Sequence, residues 1–359
     1  MLKQLYTSFF FILLLSFISI QTFGQMDFSV SGAVNKFLKT LNEEQYNHTT
    51  YSFNDTLRHV WTNLPVGLVP RPGIQYGSLS DSSRIAFHRV LAAMLSSQGY
   101  LKATSIMRLD DILNVLYQTA FDQGKINQQT LKMTQDLHWA HSNYYISVFG
   151  LPKEHEPWSI SLGGHHIALT YTSDGHRVSM SPYFIGTDPS EVKSDKFAGL
   201  RILNKEEDYG LMLVNMLSQN QKAKAILKQE TPKDIITNPK SSQRIDSYYG
   251  LSVKEFNKTQ LTILKLLIEE YTHNFEHQKA HDLMAKIELT GLNKIYFAWI
   301  GSIVNNQPHY YIINGPDFLI EYDNVGFQND GNHIHAILRE KGNDFGQDLL
   351  KKHYLEGGH

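Results

Sequence analysis

Cysteine is absent from the 359-residue chain. That excludes disulfides, thiolate metal sites, iron–sulfur clusters and a cysteine nucleophile. An excess of one charge is missing too. The 33 basic and 35 acidic side chains leave a formal net charge of -2, so there is no electrostatic footprint for nucleic acid. Beyond Gly24 no apolar run approaches the roughly 20 residues that a membrane span needs. Neither a Gly-rich phosphate loop nor a Gly-x-Ser-x-Gly elbow occurs, which removes two common catalytic frameworks. What the chain does hold is enough apolar residue, 42%, for a packed core, and 17 histidines.

Residues 1–24 read as a secretory signal. Lys3 gives the positive start, Phe9 to Ile20 the apolar run, and Thr22 and Gly24 are small enough to precede a cleavage point. The expected mature chain starts near Gln25 as a secreted or periplasmic protein, with no membrane span and no cysteine to carry a lipid. Residues 25–359 are then expected to form a single α+β domain, with a possible subdivision near 231–249, where Pro232 and Pro239 mark a polar linker. The N-terminal third reads as largely helical. Asp81 to Ser97 should be a helix stopped by Gly99, and Ile106 to Phe121 a second. Period-two stretches then follow: Tyr144–Phe149, Trp158–Leu162, His165–Thr172 and His176–Phe184. After helices over 206–217 and 221–230, one long helix is expected from Thr259 to Leu289. The strands Ile295–Val304, His309–Ile313, Phe318–Asp323 and His333–Leu338 come next, and a short helix, Phe345–Tyr354, ends the chain. Strands in blocks argue for an antiparallel-rich sheet wrapped by helices. No internal repeat is visible.

The sharpest chemical signal is His333-Ile-His335. Two positions apart in a strand, the imidazoles should point the same way. On the preceding strand Glu321 and Asp323 share a face as well, and a hairpin through 329–332 would bring them close. Two histidines and a carboxylate suit a metal; a hydrogen-bonded polar face is the other reading. Gly163-Gly-His-His166 is the second signal. Adjacent strand residues face opposite ways, so one histidine of the pair joins a given site, and the smaller neighbours favour His166. His273, Glu276 and His277 spell an inverted zinc-protease motif, but the apolar stripe of Leu264, Ile268, Tyr271 and Phe275 leaves those histidines on the wet face. Asp344 stands where a helix N-cap would, and His353 in the last turn, so these two and Asp348 read as anchors of the last helix.

The residues Asn143 to Tyr145, Phe149 to Pro152, Trp158, Gly164-His-His-Ile-Ala-Leu169, Pro182 and Gly186-x-x-Pro189 form a pattern. So do Trp299 to Gly301, Tyr310-Tyr311, Gly315-Pro-x-Phe-Leu-Ile-Glu-Tyr-Asp-Asn324, Asn332-His-Ile-His335 and Asp344-Phe-Gly-x-Asp-Leu-Leu350. In these the chain resembles a bacterial and fungal family catalogued as domain of unknown function 3500. The resemblance implies that His165, His166, Glu321, Asp323, Asn324, His333, His335, Asp344, Asp348 and His353 are family features. It implies no reaction and no cofactor.

Two functions are therefore expected. The first is an exported metal-dependent enzyme, hydrolase or oxidase, acting on a small organic or peptide-like substrate. Its metal ligands would be His166, His333 and His335, with a divalent zinc, copper or iron. Glu321 or Asp323 would be a further ligand or general base, and His165 and Tyr145 would assist catalysis. The second is an exported ligand-binding protein without metal, its cleft lined by Tyr144, Tyr145, Trp158 and Tyr311.

Overall fold

The computed structural model describes residues 29–241 and 244–356; the 1–24 signal lies outside them. In chain order the elements are α1 (Val30–Leu38), α2 (Glu43–Thr49), β1 (Thr50–Tyr51), β2 (Ile74–Gln75), α3 (Asp81–Met94), α4 (Ser97–Asp122) and α5 (Gln128–Gln135). The sheet continues with β3 (Tyr145–Phe149), β4 (Trp158–Gly164), β5 (Ile167–Ser173), β6 (Val178–Ser179) and β7 (Tyr183–Thr187). Then come α6 (Asn204–Asn215), α7 (Gln219–Ala225), β8 (Leu251–Ser252), α8 (Lys258–Thr272) and α9 (His277–Thr290). Last are β9 (Tyr296–Gly301), β10 (His309–Asn314), β11 (Phe318–Asp323), β12 (Ile334–Glu340) and α10 (Gln347–Leu355). The fold is α+β. All 12 strands join one mostly antiparallel sheet, ordered β1-β3-β4-β5-β7-β12-β11-β10-β9-β8, with β2 on β3 and β6 on β5.

One face of the sheet carries the main core. Ile146, Leu162, Leu169, Tyr183, Leu338, Ile320, Ile313 and Phe297 alternate inward along successive strands and pack with apolar residues of α3 and α8. The other face is more polar. Two mostly irregular segments, 52–73 and the described residues of 227–250, contribute to its cover, and they meet where Trp61 and Ile235 pack with Phe184 and Ile337. Asn63 donates to Asp234 at the same place, 3.1 Å away.

Three expected elements differ. The first helix does not stop at Gly99: it ends at Met94, and Ser96 caps α4, whose first turn contains Gly99. The glycine serves packing, since a Cβ there would lie 2.0 Å from the Asn274 carbonyl oxygen. The helix expected over Thr259–Leu289 is two. Its stripe is buried as expected, but residues 273–276 break it, and Phe275 forms a β-bridge with Leu95. His273 and His277 therefore lie at the ends of two helices, both exposed. The helix expected over 221–230 is the shorter α7, with a Ser218–Gln221 capping box.

The topology also contains a repeat that the sequence hides. Ile74 pairs with Ile146, Ile146 with Leu162, and Leu162 with Leu169. Leu251 pairs with Phe297, Phe297 with Ile313, and Ile313 with Ile320. The flanks match as well. Thr50 pairs in parallel with Val148, and Ile226 forms a parallel bridge with Trp299. Capping boxes open both α2 and α7. The two halves meet at β7 and β12, where the counterparts Tyr183 and Leu338 pair with each other. A pseudo-two-fold axis thus runs through the seam. Packing repeats while side-chain identity does not: His165-His166 in one half corresponds to Pro316-Asp317 in the other.

His309 is fully buried, stacked between Trp299 (4.6 Å between centroids) and Tyr322 (5.4 Å). Burial lowers its pKa to about 4 from 6.5, outweighing the bond to the Gln307 carbonyl. The unfolded chain therefore takes up this proton as pH falls below 6.5, whereas the folded chain resists until about pH 4. This group costs stability across that window and nothing above it. Urea unfolding at pH 7 and pH 4 should show His309→Phe losing less stability on acidification than the parent, by up to about 3 kcal/mol. Equal acid losses would contradict this account.

Candidate metal centre

His165 and His166 do not lie within a strand as expected. They are the two residues that turn β4 into β5, between the paired Gly164 and Ile167. Gly164 is needed because the Tyr144 ring lies against it; a Cβ would sit 2.3 Å from the ring. The turn holds His166 at φ +61°, a left-handed conformation that an L residue adopts at a cost of roughly 1 kcal/mol. Its carbonyl accepts the Gly186 N–H at 2.8 Å. This geometry sends His166 toward the seam while its ring stacks 3.8 Å from that of His165.

Strand β12 begins at Ile334, so His333 enters it from the preceding loop. The Nε2 atoms nevertheless converge. His166 Nε2 lies 2.8 Å from His333 Nε2, which lies 3.1 Å from His335 Nε2. All three rings are buried, and one ligand atom of each falls within 4.8 Å of the others. Gly186, paired with His335, makes the arrangement possible: a Cβ there would lie 2.9 Å from the His166 Cδ2 and 3.2 Å from the His335 Cδ2.

The far sides of the rings face carboxylates. His335 Nδ1 lies 2.8 Å from Asp234 Oδ1, and His333 Nδ1 lies 3.3 Å from an Asp188 oxygen. An imidazole that donates through Nδ1 keeps its lone pair at Nε2. Acceptor atoms of His333 and His335 then face one another, with a third ring beside them. Lone pairs so placed call for a cation between them. Burial, followed by the neighbouring histidines, holds the His166 pKa well below its ordinary value. Burial also lowers His335, although Asp234 opposes it, so protons are a poor occupant. Burial would raise the Asp188 and Asp234 carboxyls, but their histidines and hydrogen bonds keep both below the usual value, so both stay ionised. Three imidazole nitrogens, two of them on rings oriented by outer carboxylates, are a donor set for zinc, copper or iron.

Asp323 pairs with His335 across the strands, but its Oδ2 stops 3.8 Å from His335 Nδ1, on the side away from the three Nε2 atoms. Fully buried, it is pushed well above the usual carboxylate range by burial and then by Asp234, and Oδ2 has no hydrogen-bond partner among the described residues. Its surroundings favour the protonated carboxyl over the carboxylate. Glu321 does not reach the imidazoles. It accepts bonds from Ile236 N and Tyr310 OH at 2.6 Å each, and from Thr237 N and Oγ1. It pins the 234–237 segment and so delivers Asp234. Tyr145 stays at its strand end opposite Gly163. Its neighbour Tyr144 is the phenol that joins the site: it donates to the His165 carbonyl at 2.6 Å and to Asp110 at 3.0 Å. Trp158 and Tyr311 are buried in the main core. Asp344 anchors as expected, although through Arg339 and Ser181 rather than as a cap; Gly346 occupies the N-cap position of α10.

His165 points elsewhere. Its Nδ1 lies 2.7 Å from buried Asp110, its ring stacks 5.9 Å from Trp139, and it lines a cavity of about 470 Å³ together with His333 and Asp188. Asp110, Asp188 and Asp234 were not singled out from the sequence. Asp110 alone left a trace: it stands among Ile106, Leu109 and Leu113, on the buried side of α4, where a carboxylate needs a partner.

These features define a class: a two-fold α+β protein with a buried trihistidine centre at the seam of its halves. The chain belongs to the DUF3500 family, described as a protein of unknown function, whose model matches residues 25–347. No curated protein and no solved structure matches it.

The two aspartates at His335 should separate under mutation. Asp234→Ala, which frees the His335 tautomer, should weaken zinc affinity by roughly 10- to 100-fold in chelator competition. Asp323→Asn, replacing one neutral group by another, should change it less than about 3-fold. The reverse order would show Asp323 to be a direct ligand.

Proposed function

We propose that the protein is an exported, zinc-dependent hydrolase. The observation that carries this is the pair of imidazoles whose Nδ1 atoms face Asp188 and Asp234 while their Nε2 atoms face each other. That arrangement has no use for a hydrogen-bonding cleft and suits a cation. His166, His333 and His335 would hold it. A dication on three neutral nitrogens with an open position acidifies bound water toward pH 7 and polarises a carbonyl. The protein's own part is fourfold. Asp188 and Asp234 fix the tautomers of the ligand rings. Asp110, bonded to His165 Nδ1, steadies that ring beside the cavity and leaves its Nε2 to take up and return a proton. Tyr144 holds the Asp110 carboxylate and the His165 carbonyl in one network. The buried rings keep bulk water from the centre. Export rests on the charged and apolar start of the chain.

The test is metal content and turnover of the mature chain purified without an affinity tag. About one zinc per chain is expected, abolished in a His333→Ala, His335→Ala double variant that keeps its circular dichroism. His165→Ala should retain zinc and lower kcat by roughly 100- to 10,000-fold on an activated ester. Metal-free, folded protein would overturn the reading. Bound copper or iron with oxygen consumption and no hydrolysis would replace it with an oxidase.

A further inference from the structure

We propose that the cavity beside the trihistidine centre takes an uncharged ester with a medium-sized hydrophobic arm and turns away anions. This rests on the hydrolase reading for its chemistry. For binding it rests on the cavity alone.

Three large apolar side chains converge on the cavity while remaining in solvent: Leu68, Met133 and Phe327, which are 55%, 63% and 83% exposed. They come from separate parts of the chain, the 52–73 cover, α5 and the loop before β12. Isolated exposed apolar residues are ordinary, but several around one concavity mark a surface built to be covered. Deeper in, Tyr117 and Trp139 supply flat walls, and Trp139 leads by its stack on His165 to the centre. Phe327 touches the other end, with its ring edge-on 5.9 Å from that of His333. A ligand lying between these rings would have its reacting bond at the histidines and its apolar arm at the rim.

The charge of the lining is one-sided. It contains Asp188 and Asp330 and no lysine or arginine. Both acids act on Tyr117, whose pKa is raised by burial first and then by Asp188 and Asp330. Asp330 stands with Phe327 and Gln328 on the wall of the cavity, and the lining offers a substrate anion no lysine or arginine. A carboxylate or phosphate on the substrate would meet repulsion there and no partner. In the reaction the acyl carbon–oxygen bond breaks, the oxygen of water takes the acyl carbon, and one proton of that water ends on the departing alkoxide oxygen.

Two probes that cannot be hydrolysed separate the pocket from the chemistry: 4-nitrophenyl hexyl ether and 6-(4-nitrophenoxy)hexanoate. Each is titrated into the zinc-loaded mature chain at low salt, with tryptophan fluorescence as readout. The ether should bind at least about tenfold more tightly than the acid, the factor that roughly one unfavourable charge contact sets. Phe327→Ala, at an exposed position, should weaken ether binding about fivefold or more through lost apolar contact. Met133→Lys should bring the acid within about threefold of the ether by supplying the missing cation. Equal binding of ether and acid by the parent overturns the proposal, as does ether binding that ignores Phe327→Ala. Turnover of 4-nitrophenyl hexanoate is measured alongside. Ether binding without turnover would leave this pocket and remove the hydrolase; turnover without ether preference would do the opposite.

Discussion

Everything at this centre depends on one electrostatic constraint: imidazole lone pairs are forced together in a buried place. His333 and His335 cannot turn away, because Asp188 and Asp234 hold their opposite nitrogens. Nor does His335 readily take a proton, because burial lowers its pKa more than Asp234 raises it, with His333 beside it adding to the lowering. The surroundings serve the same constraint. Gly186 gives up a side chain so that two rings fit side by side. Glu321 spends its carboxylate on the 236–237 backbone so that Asp234 arrives where His335 needs it. The acids around the centre thus divide their labour by environment. Asp188 and Asp234 are ionised and orient, Asp323 is neutral, and Glu321 builds.

The sheet explains why these residues meet. Gly186, His335 and Asp323 are consecutive cross-strand partners on β7, β12 and β11, so their juxtaposition follows from register alone. His166 comes from the β4–β5 turn at the same end. The seam between the halves is where side chains distant in the chain become neighbours, and where the covering segments 52–73 and 227–250 touch. A two-fold scaffold needs no symmetric site. At the position matching His165-His166 the other half carries Pro316-Asp317, a turn with no imidazole, so the centre belongs to one half supported by the other.

How much of this was legible depends on the range of the interaction. The shared face of Glu321 and Asp323 followed from strand periodicity, a local rule, whereas His333 reaches His335 from the loop before β12, where that rule does not act. The choice of His166 over His165 came out the same way, though the alternation that motivated it does not apply to a turn. Local pattern could not tell that Glu321 would be used by a backbone segment over eighty positions away, nor that burial, and then Asp234, would raise the Asp323 carboxyl. The outer carboxylates sit in a helix, a post-strand loop and a Pro-rich stretch, with no common spacing. Gly99 and the 273–276 break were misread for a related reason. Each is set by the contact of one half with the other, and a single helix pattern carries no record of its partner.

The repeat escaped notice on the same grounds, and its concealment bears on function. Between the halves, pairing register and capping boxes persist where polar chemistry does not. Register is held by alternating burial, which many apolar residues satisfy equally, so sequence can drift while the fold stays. The His centre is under a narrower constraint. It needs particular nitrogens, particular carboxylates and a glycine without a Cβ. Where that constraint acts, on the turn at 165–166, the loop at 188 and the start of β12, the halves have become unlike. The repeat accounts for register and packing, and the three imidazoles are placed within it by one turn, one loop and one strand start.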